Sequence, residues 1–114
     1  MIVANGSLTI LLQYFYQTLA LFVVSKDVLV QKSEYFRALL AGGFAESSQE
    51  TVTIQGQFVS AFELWLRYFH DTLTEESYNL GIKDVYHAIA LGNERLFEVR
   101  NLKGWFEKWW DNLE

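Results

Sequence analysis

Between Leu8 and Val24 the chain runs through mostly apolar residues, and how it buries that run decides what it can fold into. The stretch is about long enough to cross a thin bilayer. It carries Gln13, Gln17, Thr9 and Thr18, however, and no cationic region precedes it. Burying two side-chain amides in hydrocarbon without partners is costly, so a membrane span or signal peptide is the weaker reading. Within a soluble core two solutions remain. Leu8–Leu12 and Leu19–Val24 read as two buried strands. One long helix over the same residues competes, because the link Gln13 to Thr18 lacks the Asn-Gly or Pro-Gly of a well-specified hairpin turn. Val23 and Val24 lean toward extended structure.

Helical spacing takes over downstream. Val28 and Leu29 fit a short turn. Ser33 reads as an N-cap before Glu34, with Tyr35, Phe36, Leu39 and Leu40 on one face, and Gly42-Gly43 ends that helix. Thr51–Ile54 alternates at period two and predicts a strand with Val52 and Ile54 inward. Phe58, Phe62, Trp65, Leu66 and Phe69 predict a helix that ends near Asp71-Thr72. Thr74-Glu75-Glu76 offers another start, interrupted by Gly81. Ile82, Val85, Tyr86, Ile89 and Ala90 form the next apolar face, closed by Gly92-Asn93, and Leu96 and Val99 suggest a short helix. Leu102, Trp105, Phe106, Trp109, Trp110 and Leu113 then fall on one side of the clearest amphipathic helix in the chain. Two strands, a helix, a strand and then helices only predict an α+β fold: a small three-stranded sheet covered by about five to six helices.

Composition narrows the function. The 114 residues match one domain, and 51% apolar content supplies a core. The net charge is −5 and no basic run exists, which disfavours nucleic acid and anionic membranes as partners. With no cysteine, disulfides, zinc–thiolate sites and thiol nucleophiles are excluded. His70 and His87 are the only histidines and have no metal-ligand spacing, so no metal, cofactor or catalytic residue is expected. His70 is better read as a helix C-terminal residue, where partial positive charge is favoured. The glutamates read as a solvated face and the glycines form no phosphate loop.

The segments Phe22–Leu29 and Ser33–Leu40 together resemble the BTB/POZ signature: a strand, a His-Lys pair, Val-Leu, then Ser-x-Tyr-Phe-x-x-x-Leu. Residues 42–47 resemble the loop that follows, Thr51–Ile54 the third strand, and Ala61–Phe69 the next helix. The resemblance covers Ser7 to Asn101. It divides the chain into a BTB/POZ domain at 1–101 and a Trp-rich C-terminal helix at 102–114, packed on the same domain and similar to an extension in fungal-type members. Ser25 stands where the family has His, Ser7 where it has Asp, and His70-Asp71-Thr72 where it has Tyr-Thr-Gly. The loss of Asp and His implies that the charged network involving the Lys26 position is absent. The chain also lacks the N-terminal helix that many members swap, which counts against the swapped dimer.

The family implies protein binding rather than catalysis, in the cytoplasm or nucleus. In cullin-binding members a hydrophobic-x-Glu motif contacts the scaffold, and Phe44, Ala45 and Glu46 resemble it, which points to recruitment of a cullin-type ubiquitin ligase scaffold. The alternative is a stand-alone homo-oligomerisation domain of a larger regulatory protein, joined through Tyr14, Phe15 and Tyr16 of the first hairpin. Trp109 and Trp110 lie side by side, so one of them is expected to stay exposed as a partner contact.

Overall fold

Leu8–Tyr14 (β1) and Gln17–Val24 (β2) are two antiparallel strands, not one helix, in the computed structural model, which describes residues 1–41 and 50–113. The pairing runs from Leu8 opposite Val24 to Tyr14 opposite Gln17, with a one-residue irregularity between Leu12 and Gln13. The loop is therefore only Phe15-Tyr16, shorter than the Gln13–Thr18 link read from the sequence. Both loop residues have positive φ, 50° and 65°, the backbone of a type I′ turn. Aromatic residues seldom take it, which is why the sequence gives no turn signal here.

Lys26–Lys32 (α1) and Glu34–Leu40 (α2) follow. Ser25 and Ser33 are the N-caps, their hydroxyls accepting from the Val28 and Phe36 N–H groups. The turn expected at Val28-Leu29 is thus a full helix of two turns. The Gly42-Gly43 stop lies outside the described residues. Glu50–Gln55 (β3) then pairs parallel with β1, giving the sheet order β2-β1-β3.

Val59–Phe69 (α3), Ile82–Glu94 (α4) and Lys103–Asp111 (α5) complete the helices, with 3-10 turns at Glu75–Asn79 and Val99–Leu102. The architecture is α+β: among the described residues, a three-stranded sheet with five α-helices. Among the described residues, no helix is long and apolar enough to cross a membrane.

The sheet buries one face. Leu8, Ile10 and Leu12 of β1, Phe22 and Val24 of β2, and Val52 and Ile54 of β3 point into the core, as period-two alternation requires. Phe36, Phe62, Trp65, Leu66 and Phe69 fill it from the helices. The opposite face, with Leu19 and Leu21 of β2 and Thr51 and Thr53 of β3, is open. At the outer edge of β2 the N-terminus adds a short parallel bridge: the Val23 N–H donates to the Met1 carbonyl at 2.9 Å and the Val3 N–H to the Val23 carbonyl at 3.0 Å.

Two expectations for α4 are corrected. Ile82, Tyr86 and Ala90 are exposed, and the buried face runs through Val85, Ala88 and Gly92. Gly92 does not close the helix, which continues to Glu94. It is a packing position: a β-carbon there would stand 2.5 Å from Trp65 Cζ2. The short helix expected over Leu96 and Val99 forms only from Val99, as the 3-10 turn Val99–Leu102, and Leu96 lies in a turn before it. Leu96 and Glu98 have positive φ and are exposed, while Phe97 between them is buried.

Candidate protein-interaction surfaces

The tip of the β1–β2 hairpin gathers Tyr14, Phe15 and Tyr16. Phe15 is 74% exposed and Tyr16 fully so. The Tyr14 and Phe15 rings meet edge to face at 4.4 Å. The positive φ at two aromatic residues costs on the order of 1 kcal/mol each, and neither ring is buried in return.

The tip residues Tyr14, Phe15 and Tyr16 line one side of a groove of about 700 Å³, whose other walls are Gln57 and Phe58 from the β3–α3 link, Phe62 of α3, and Leu91 of α4. The size suits a ligand or inserted side chains. Phe58 is fixed by stacking on His87, ring centroids 3.5 Å apart. Arg95 closes one end. Its guanidinium donates to the Gln55 carbonyl at 3.0 Å and to the Tyr35 hydroxyl at 2.8 Å, and it lies over the Tyr35 ring. Burial pushes the Tyr35 phenol above its ordinary pKa, although the adjacent Arg95 cation pulls the other way.

Below the sheet, Lys26 at the start of α1 meets Glu50 at the start of β3, with Nζ 3.1 and 3.2 Å from the two carboxylate oxygens. Glu50 is buried. The loss of Asp and His near Lys26 predicted an absent charged network, but the structure supplies a carboxylate from another strand. His70 is the C-cap of α3, the helix C-terminal position expected of it. Its Nε2 accepts from the Ser25 N–H at 3.0 Å and its Nδ1 lies 2.7 Å from the Leu66 carbonyl. A ring carrying its proton on Nδ1 makes both bonds, so the residue ties the end of α3 to the start of α1.

The C-terminal helix divides its tryptophans. Trp105 and Trp109 are buried, their indole N–H groups donating to Ser77 Oγ and the Leu80 carbonyl, both at 2.7 Å. Trp109 is therefore not available to a partner, whereas Trp110 is 63% exposed. A small apolar cleft of about 240 Å³, lined by Leu64, Val85, Ile89, Leu102 and Phe106, lies between α4 and α5. Phe44, Ala45 and Glu46 lie outside the described residues. No group of three or more His, Cys, Asp or Glu able to hold a metal occurs among the described residues.

Sequence reasoning missed Phe97 and Arg95, and the reading of Glu50 as part of a solvated face is corrected, since its side chain is buried. Phe97 packs against Tyr35, Phe36, Trp65 and Phe69 at 5.2–5.8 Å. It follows the last turn of α4 in an irregular backbone, so no periodicity marks it. Glu50 had a usable signal: it continues the period-two inward set of Val52 and Ile54.

No curated protein matches the chain in a sequence search. The family model of the BTB/POZ domain matches residues 15–104, the span from the hairpin tip through the start of α5. Together with the sheet order and helix succession described above, that match places this chain in the BTB/POZ family, whose domain is a protein–protein interaction and oligomerisation module.

Proposed function

We propose that this BTB/POZ domain is a non-catalytic adaptor that associates with itself through the tip of its first hairpin, as part of a larger regulatory protein. The observation that carries this reading is the pair Phe15 and Tyr16: aromatic, exposed, and held in a backbone conformation that costs stability, while neither ring is buried within the domain. Trp110 offers a second contact on the C-terminal helix. Residues 102–114 act in this reading as part of the same folding unit as 1–101, through the buried Trp105 and Trp109. Sedimentation velocity across protein concentrations tests self-association. A strict monomer at high concentration would overturn it.

A second reading rests on the hydrophobic-x-Glu motif of Phe44, Ala45 and Glu46 between α2 and β3. An aromatic anchor with a neighbouring carboxylate is suited to fill an apolar pocket and fix orientation, and the partner is a cullin-type ubiquitin ligase scaffold, met in the cytoplasm or nucleus. Capture by a cullin N-terminal domain, lost in the Phe44→Ala/Glu46→Ala double variant, is the expected result. No capture of the unaltered protein removes this reading and leaves the first in place.

A further inference from the structure

Resting on the self-association reading above, we infer that the hairpin tip of one copy inserts into the groove beside the tip of a second copy, forming a closed two-fold dimer. A closed pair needs a surface that is complementary to itself. Here Phe15 and Tyr16, exposed at the tip, form one wall of the hollow, and Gln57, Phe58, Phe62 and Leu91 form the others, so protrusion and hollow share one face. A two-fold axis between them seats each tip in the other copy's groove.

Electrostatics selects a second copy as the occupant. The chain carries a net charge of −5, so two copies repel each other over most of their surface. From Ile2 to Ser25 no residue is charged, and the groove contributes only Glu94 and Arg95, one of each sign. This face is where two acidic copies meet without opposing charge. Area is sufficient as well. Four inserted aromatic rings bury roughly 600–1,000 Å², and the walls they cover about as much again, which reaches the roughly 1,200–2,000 Å² of a stable interface. Insertion also gives the strained turn a function, because the turn leaves Phe15 and Tyr16 exposed at the end of the sheet.

The test exploits the two-fold arrangement. Phe15→Glu spoils the protrusion and Leu91→Lys spoils the hollow. Each alone should weaken self-association at least about 30-fold, as loss of a central anchor does. An equimolar mixture should recover a mixed dimer, because Glu of one copy then meets Lys of the other while the second tip and groove are unaltered. Sedimentation equilibrium reads the association and circular dichroism checks folding. If Leu91→Lys does not fold, Gln57→Arg at an exposed position of the same wall replaces it. Tip variants that become monomeric while groove variants associate like the unaltered chain would overturn groove insertion but leave tip-mediated association standing. Two folded monomers that fail to pair on mixing would also overturn the insertion. An unaltered chain that is monomeric would overturn both ideas.

Discussion

The indole of Trp65 lies flat enough on α4 that Gly92 has no room for a side chain: a β-carbon there would stand 2.5 Å from Trp65 Cζ2 and 2.7 Å from Val99 Cγ2. The same indole donates to the Ala88 carbonyl at 2.7 Å, one helical turn earlier. Trp65 is thereby locked against α4 by one hydrogen bond and one close approach, and Phe69 and Phe97 pack around it.

Gly92→Ala should destabilise the domain by about 1–3 kcal/mol through overpacking, even though alanine is the better helix former by about 1 kcal/mol. Urea unfolding followed by tryptophan fluorescence checks this. A rise in the transition midpoint would show that the indole can move aside.

Trp105→Ala should cost about 3–5 kcal/mol, as large aromatic truncations in cores do, whereas Trp110→Ala should change stability by less than about 0.5 kcal/mol. Thermal unfolding of the two variants side by side reads the difference. Equal melting points would mean that α5 does not share the core.

Lys26→Met leaves the buried Glu50 carboxylate without this cation, and should cost about 3 kcal/mol, the scale for breaking a buried pair from one side. Guanidinium unfolding at neutral pH measures it. The double variant Lys26→Met/Glu50→Leu should recover much of the loss, since replacing both members of such a pair is close to neutral.

Phe15→Asn with Tyr16→Gly installs the residues that favour a type I′ turn. It should stabilise the monomer by about 1–2 kcal/mol by relieving the positive φ values, while abolishing self-association. Thermal melts at low concentration report the first effect and sedimentation the second. A destabilised monomer would show that the rings support the hairpin.

Stability should fall as pH rises through the alkaline range around Tyr35. Its folded pKa is raised by burial, so above about pH 10 the unfolded chain gives up the phenolic proton while the folded chain keeps it. The stabilisation is complete below pH 10 and declines above it. Tyr35→Phe should flatten that part of the urea-midpoint profile, and an unchanged slope would show that other groups set it.

Much of the architecture was legible because burial imposes periodicity. Val52 and Ile54 at period two, Phe62, Trp65 and Phe69 at helical spacing, and Ser33 before an apolar helix each carry a local physical signature. The hairpin was half legible: its strands followed from apolar runs, but Phe15-Tyr16 contradicts the usual chemistry of the turn it forms. Phe97 and Arg95 were illegible, because they act from the irregular segment after α4, where no repeat exists. The interaction motif Phe44, Ala45 and Glu46 came from family resemblance and lies outside the described residues.

The sequence by itself determined the strand at Thr51–Ile54, the helices downstream and the inward faces of β3 and α3, since those depend on neighbours a few positions away, but it left Leu8–Val24 open between strands and helix and misassigned the buried face of α4. Only the tertiary structure decided that Glu50 pairs with Lys26, that His70 accepts from the Ser25 N–H, that Gly92 is a seat for Trp65, and that Trp110 rather than Trp109 remains outside. Each of these joins residues distant in the chain, and such contacts exist only once the parallel pairing of β1 with β3 and the packing of helices on the sheet bring them within bonding distance.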